Sequence, residues 1–144
     1  MANTRLIRAI VAAGVLAGTV STGVAWAGGS DGTVEDTPAD LFAAVGTGEF
    51  IDSIAGFTGT GATAEEASAA VMAACQGAGG VECTVDEVTN DNLCIVSLAS
   101  DSTDVVAGGA GPTVEAARQD AINKAMANGT PEGADAVVVV SACP

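Results

Sequence analysis

The chain has no histidine and no tyrosine, a single tryptophan (Trp26), and only four Lys or Arg residues among 144. Each scarcity removes a class of chemistry. Without histidine there is no Ser-His or Cys-His dyad and no His-based zinc site. The other aromatics, Phe42, Phe50 and Phe57, offer no Trp or Tyr platform on which bases or sugars stack. Binding to phosphate backbones needs clustered Lys or Arg that release counterions. Nucleic acid is therefore a poor partner, and anionic membrane surfaces are disfavoured for the same reason. Long hydrophobic runs are missing too: the apolar stretch Ala9 to Val20 is too short to span a bilayer.

What is present starts with an export signal. Arg5 and Arg8 form a basic region, Ala9 to Val20 an apolar one, and Ala25-Trp26-Ala27 the small-x-small pattern that signal peptidase cuts after. The expected cleavage residues are Ala25, Ala27 and Gly28, by a Sec route, leaving a soluble secreted chain of 117 residues from Gly28. All 18 acidic residues follow Ala27 and meet only Arg118 and Lys124 there, a balance of −16. Such acidity keeps a secreted domain soluble and monomeric. Residues 28–48 read as an acidic, mostly flexible segment in which Thr37-Pro38-Ala39-Asp40 and Leu41 to Val45 make at most a short helix. Residues 49–144 read as one domain.

That domain contains a degenerate repeat. Gly61-Ala-Thr63-Ala-Glu65-Glu-Ala67 matches Gly111-Pro-Thr113-Val-Glu115-Ala-Ala117, and each copy leads into an alanine-rich helical pattern. The first helix starts on Thr63 with Glu66 completing a capping box. It carries Ala67, Ala70, Val71, Ala74 and Cys75 on one face and stops near Gly77. The second starts on Thr113, buries Val114, Ala117, Ala121, Ile122 and Ala125, and ends by Gly129, with Asp120 and Lys124 paired at i,i+4. For strands, Phe50 to Phe57 precedes the first helix. Thr84 to Thr89 and Leu93 to Ala99 flank the turn Asn90-Asp91-Asn92 as a hairpin. Thr103 to Ala107 follows the polar turn Ser100-Asp101-Ser102, and Ala136 to Val140 reads as a strand covered on both faces or central in its sheet. The predicted fold is α+β: two strand-helix-strand units, about 50–99 and 100–144, forming an antiparallel or mixed sheet with two Ala-rich helices packed on it.

Four cysteines in an exported chain imply two disulfides. Cys75 and Cys83 lie either side of a Gly-rich loop, and their counterparts near Ala125 and Ala134 lack cysteine together, as a local pair predicts. Cys94 and Cys143 remain, at related places in a pseudo-two-fold arrangement. The expected bridges are Cys75–Cys83 and Cys94–Cys143. Cys-x7-Cys and Cys-x10-Cys have neither redox nor zinc-knuckle spacing, so no metal and no cofactor is expected.

This order of elements resembles a known group. An Ala-rich helix ends in Cys75, Cys83 opens a strand, Cys94 precedes an apolar strand, and a second Thr/Glu/Ala helix leads to Ser-Ala-Cys143-Pro. Over residues 50–143 it is similar to the small secreted actinobacterial proteins, mycobacterial members included, grouped as domain of unknown function 4189. The resemblance implies export and a disulfide-braced fold, and supplies no reaction and no catalytic residues. Relatives have many aromatics in their strands and two further cysteines, which this chain lacks.

Carboxylates are the only abundant reactive groups. Asp86 and Glu87 lie beside Asn90-Asp91-Asn92, and Asp101 and Asp104 bracket another turn. Paired carboxylates do acid–base work when their pKa values split, but turns also select Asp and Asn for backbone bonding. A loop calcium site lacks EF-hand spacing. Gly108-Gly109-Ala110-Gly111 lacks the lysine of a phosphate loop and reads as a strand-to-helix turn. The sequon Asn128-Gly129-Thr130 is followed by Pro131 and is uninformative. The expectation is thus a non-enzymatic secreted protein that binds an unknown protein partner, in the envelope or on a host. The alternatives are a carboxylate-dependent extracellular hydrolase, or a structural or stress-related secreted protein.

Overall fold

The computed structural model describes residues 41–144; the expected leader, its cleavage residues Ala25, Ala27 and Gly28, and residues 28–40 lie outside the described residues. The chain runs β1 (Phe42–Phe50), β2 (Ser53–Gly61), α1 (Ala64–Gly77), β3 (Val81–Thr89), β4 (Cys94–Ser100), β5 (Val105–Gly111), α2 (Val114–Ala127) and β6 (Val137–Ala142). This is the expected α+β class with two helices and two disulfides. The repeating unit is one strand longer than expected: β-β-α-β, spanning 42–89 and 94–142. Each unit forms its own antiparallel three-stranded sheet, ordered β2-β1-β3 and β5-β4-β6.

The helices form as their sequences require. Thr63 Oγ1 accepts the Glu66 N–H at 3.1 Å while Glu66 Oε2 accepts the Ala62 N–H at 2.8 Å. Thr113 Oγ1 accepts the Ala116 N–H in the same way. Both helices stop with a glycine at positive φ, Gly79 at 88° and Gly129 at 78°. Each lies on the outer face of its own sheet. Ala67, Val71 and Cys75 pack on Ala44, Ala55 and Phe57, whereas Ala117 and Ala121 pack on Val96 and Leu98. The inner faces of the two sheets meet through Val45, Ile95 and Val140 and through Ile54, Ala99 and Val139. The layers are therefore helix, sheet, sheet, helix.

That sandwich explains several departures from the sequence reading. The short helix expected over Leu41 to Val45, within a flexible segment to residue 48, is a correction: Phe42 to Phe50 is a strand, and the domain begins there rather than at 49. Ala-Ala-Val-Gly-Thr-Gly lacks strand-like alternation because β1 is covered on both faces. A Cβ on Gly48 would sit 2.1 Å from Cys75 Sγ, so only small residues admit helix α1. The Gly108-Gly109-Ala110-Gly111 run belongs to β5 for the same reason: a Cβ on Gly109 would lie 2.2 Å from the Ala117 carbonyl oxygen of α2. Phe50 to Phe57 is no single strand but contains the β1–β2 turn.

The expected hairpin around Asn90-Asp91-Asn92 does not form. The strands exist, but β3 pairs with β1 and β4 with β5 and β6; Asn92, at φ 57°, turns the chain from one sheet to the other. The repeat boundaries accordingly fall at 42–89 and 94–142, not at 50–99 and 100–144. The valine run of β6 is an edge strand, whose Val137 is 42% exposed. The central strand of the second sheet is β4, with all seven residues buried.

Both disulfides pair as expected, Cys75–Cys83 and Cys94–Cys143. The reason for the second is different. Cys94 and Cys143 are not related across a two-fold axis but are neighbours on adjacent antiparallel strands, one step beyond the Ile95–Ala142 pair, with Cα atoms 4.0 Å apart.

Candidate functional site

The strand pairings of the two units correspond, apart from a further irregularity between Thr47 and Glu49 in the first. In each, the third strand slips against the central one at the same place, leaving one bulged residue: Asp86 between the pairs Gly46–Val85 and Val45–Glu87, and Val139 between Leu98–Val138 and Ser97–Val140. The same alignment sets Thr84 against Val137, Glu87 against Val140, and Thr47 against Ala99. One half of the intersheet space is thus built from Val139, Ala99 and Ile54. The other half holds Asp86, Thr84, Thr47 and Ser97.

Thr47 and Ser97 of that polar half are buried, whereas Asp86 is half-buried and Thr84 exposed. Thr47 is 3% exposed and Ser97 not at all. Thr84 Oγ1 donates to Asp86 Oδ1 at 2.7 Å and lies 3.1 Å from Thr47 Oγ1. Burial raises the Asp86 carboxyl above its ordinary range, against the opposing pull of the Thr84, Ser97 and Thr47 hydroxyls. Two atoms have no hydrogen-bond partner in the protein: Asp86 Oδ2 and Ser97 Oγ. Ser97 stands close enough for its hydroxyl to favour the Asp86 carboxylate. Buried polar groups are almost always paired, so unpaired ones mark strain, an absent ligand or a functional role.

Asp86 also lines a cleft of about 370 Å³ between β3 and β5, walled by Val85, Glu87, Val106, Gly108 and Lys124. Gly108 brings the strands together, since a Cβ there would sit 2.0 Å from the Asp86 carbonyl oxygen. Lys124 closes one side. Its Nζ donates to Glu87 Oε2 at 2.5 Å and to Asp120 Oδ2 at 2.9 Å. Asp120 in turn accepts the Ala110 N–H at 2.9 Å. Burial works against the Lys124 charge, but Glu87 and Asp120 outweigh it and raise its pKa. The expected Asp120–Lys124 pair is therefore one arm of a link between the two units.

A second polar cluster lies at the opposite end of β4. Asp135 Oδ1 accepts from the hydroxyls of Ser100 and Ser102, both at 2.6 Å, and Oδ2 accepts the Ser102 N–H at 2.9 Å. The two hydroxyl bonds hold Asp135 down to about 2, with burial opposing and the Ser102 N–H adding to the effect. Beside it, burial and then the charge of Asp135 raise Glu132 to about 7, and neither Glu132 oxygen has a hydrogen-bond partner. In the strand alignment Ser100 corresponds to Gly48, which abuts the Cys75–Cys83 bridge in the first unit. The Ser100–Ser102–Asp135 latch thus ties down in the second unit the loop that a disulfide ties down in the first.

Of the carboxylates singled out from sequence, Asp86 and Glu87 reach this cleft, whereas Asp91, Asp101 and Asp104 stay in turns. Asp104 sits at φ 56°, the backbone role Asp commonly fills. Thr47, Thr84, Ser97, Glu132 and Asp135 were missed. The one local signal was Ser97, a hydroxyl inside the apolar strand Cys-Ile-Val-Ser-Leu-Ala-Ser. Among the described residues no group of three or more His, Cys, Asp or Glu is placed to hold a metal ion, and no helix is long and apolar enough to cross a membrane.

The fold and site define a disulfide-braced, duplicated α+β domain with a polar cleft between β3 and β5. A family model described as "Domain of unknown function (DUF4189)" matches residues 42–143, and the chain belongs to that family. No curated protein and no solved structure matches it. The matched span begins with β1, as the domain does, and its two disulfides are consistent with an extracellular protein.

Proposed function

We propose that this is an exported, non-enzymatic interaction protein that recognises a protein partner through the cleft between β3 and β5. One observation carries the reading: of two equivalent intersheet regions, one is apolar while the other keeps a carboxylate with an unpaired oxygen, beside an opening. A carboxylate in that position works against stability. Retaining it where the sister unit has valine is what a recognition site requires. The Cys75–Cys83 bridge ties β3, one wall of the cleft, to α1, and the absence of histidine leaves no familiar nucleophile–base pair beside it.

A photo-crosslinking residue at Val106, on the cleft rim, tests the reading against the same residue at Val137, on the far edge strand. A partner from culture filtrate or envelope extract should crosslink through Val106 only and be displaced by unlabelled domain. Equal labelling from both positions refutes it. The second reading, a carboxylate-dependent hydrolase, is favoured by the split pKa values of Glu132 and Asp135. It requires turnover of an extracellular polymer that Glu132→Gln abolishes with the fold intact.

A further inference from the structure

We propose that the end of the first sheet, where β1 turns into β2, is a second interaction surface. It seats Ile51 and Val81 in an apolar pocket, bordered by Lys or Arg, on a protein partner. This goes beyond the cleft reading, since neither residue lines the cleft. Three features converge.

The first is display. Ile51 is 97% exposed and Val81 60%. Ile51 lies in the turn closed by the Phe50–Ser53 pair, a place that favours Gly, Asn or Asp. Val81 pairs with Glu49, just before that turn, so both apolar residues stand at one end of the sheet. The second is the backbone that presents them. Between the Thr47–Thr84 and Glu49–Val81 pairs, Glu82 and Cys83 oppose Gly48 alone, a bulge of the kind that re-aims side chains. Glu82 takes φ 51° there, a conformation costly for residues other than Gly, Asn and Asp. The Cys75–Cys83 bridge anchors the strand beside it. The sister unit shows that the fold does not require this display, because its turn, closed by Ser100–Val105, is Asp101-Ser102-Thr103-Asp104. The third is charge. Asp52 and Glu82, both exposed, adjoin Ile51 and Val81, and residues 42–89 contain no Lys or Arg. A cationic rim complements them, whereas anionic lipid surfaces are repelled. A second copy lacks such a rim, because Arg118 and Lys124, the basic residues among those described, already pair with its own carboxylates.

The test places the photo-crosslinker p-benzoyl-phenylalanine at position 51 of the oxidised protein and exposes it to culture filtrate and envelope extract. The expected product is one protein adduct whose linked peptide, read by mass spectrometry, holds apolar residues flanked by Lys or Arg. Unlabelled protein should displace it. As competitors, Ile51→Ser, Val81→Ser and Asp52→Lys/Glu82→Lys should each be about tenfold weaker, whereas Thr103→Ala, in the sister turn, should match the parent. Ile51→Ser should leave the melting temperature unchanged, because the side chain it removes lies in water. Equal competition by a folded Ile51→Ser, a linked peptide without Lys or Arg, an adduct with lipid or with a second copy, or no adduct overturns the proposal. A fall in melting temperature with Ile51→Ser overturns it too, by giving the residue a folding role. Gly108→Ala, which overpacks the cleft, should leave the adduct intact, and its loss there overturns a separate surface. An adduct through position 51 with none through Val106 removes the cleft reading and preserves this one.

Discussion

The two intersheet halves differ where their backbones agree. Asp86 and Val139 occupy the same bulge in two copies of one β-β-α-β unit, yet one is a desolvated carboxylate and the other is 1% exposed among Ile54 and Ala99. Their glycines differ in place as well. Gly56 admits Val140, whose Cβ would lie 2.4 Å from an added Cβ, whereas Gly108 admits the backbone of Asp86. Duplication explains the shared frame. It does not explain the polarity, which one copy has and the other lacks.

The braces show the same divergence, and removing them has the largest expected effect. The chain-entropy model assigns ~4 kcal/mol to a loop the length of Cys94–Cys143 and ~2.5 to one the length of Cys75–Cys83. Urea unfolding of Cys94→Ser/Cys143→Ser should therefore show a greater loss than Cys75→Ser/Cys83→Ser. The opposite order would mean that the first unit, not the second, depends on its bridge.

Moving the polarity across is the next test. Val139→Asp buries an unpaired carboxylate where the first unit provides Thr47 and Thr84 but the second has Ala99 and Val137; a loss of about 3 kcal/mol is expected. Gly56→Ala and Gly108→Ala should each cost about 2 kcal/mol by overpacking the two halves. Only Gly108→Ala should also abolish binding in the cleft. The converse exchange, Thr47→Ala/Thr84→Val/Asp86→Val, copies the apolar half onto the polar one. Denaturant melts should show stability unchanged or raised by about 1 kcal/mol, with crosslinking through Val106 lost. A strong loss of stability would show instead that the polar cluster holds the sheets together.

The smallest effect is a pH dependence at the other end of β4. Glu132 has its folded pKa raised from 4.5 to about 7. Its contribution is present below about pH 4.5 and is lost as pH rises to 7, because the unfolded chain ionises first. Asp135, lowered from 3.8 to about 2, has the opposite sense: its contribution is present above pH 3.8 and fades below it. Melting curves should show a shallow decline between pH 4.5 and 7 that Glu132→Gln removes, while Asp135→Asn removes the loss below pH 3.8.

Much of the fold could be read from local chemistry. Thr63 and Thr113 cap their helices because capping is decided within four residues; Gly129 ends the second helix as expected, while the first ends at the expected Gly77 with the left-handed turn at Gly79. The glycine-rich strands β1 and β5 were misread because their composition answers to helices packed on them from elsewhere in the chain. The Asn90-Asp91-Asn92 turn was recognised as a turn, but a turn does not state which strands pair on either side of it. Asp86 and Glu87 were visible as a carboxylate pair. Their link to Ser97 and Lys124, and the latch from Ser100 to Asp135, join residues that share no sequence pattern.

Helix caps, the alanine faces of the helices, the family, the duplication and the local Cys75–Cys83 bridge all follow from residue order, since each depends on short spacings or on comparing one copy with the other. Which strands share a sheet, which faces meet, and that one of two matching bulges encloses a carboxylate beside an opening are settled by packing. Burial is a property of the assembled layers, and no single segment carries it.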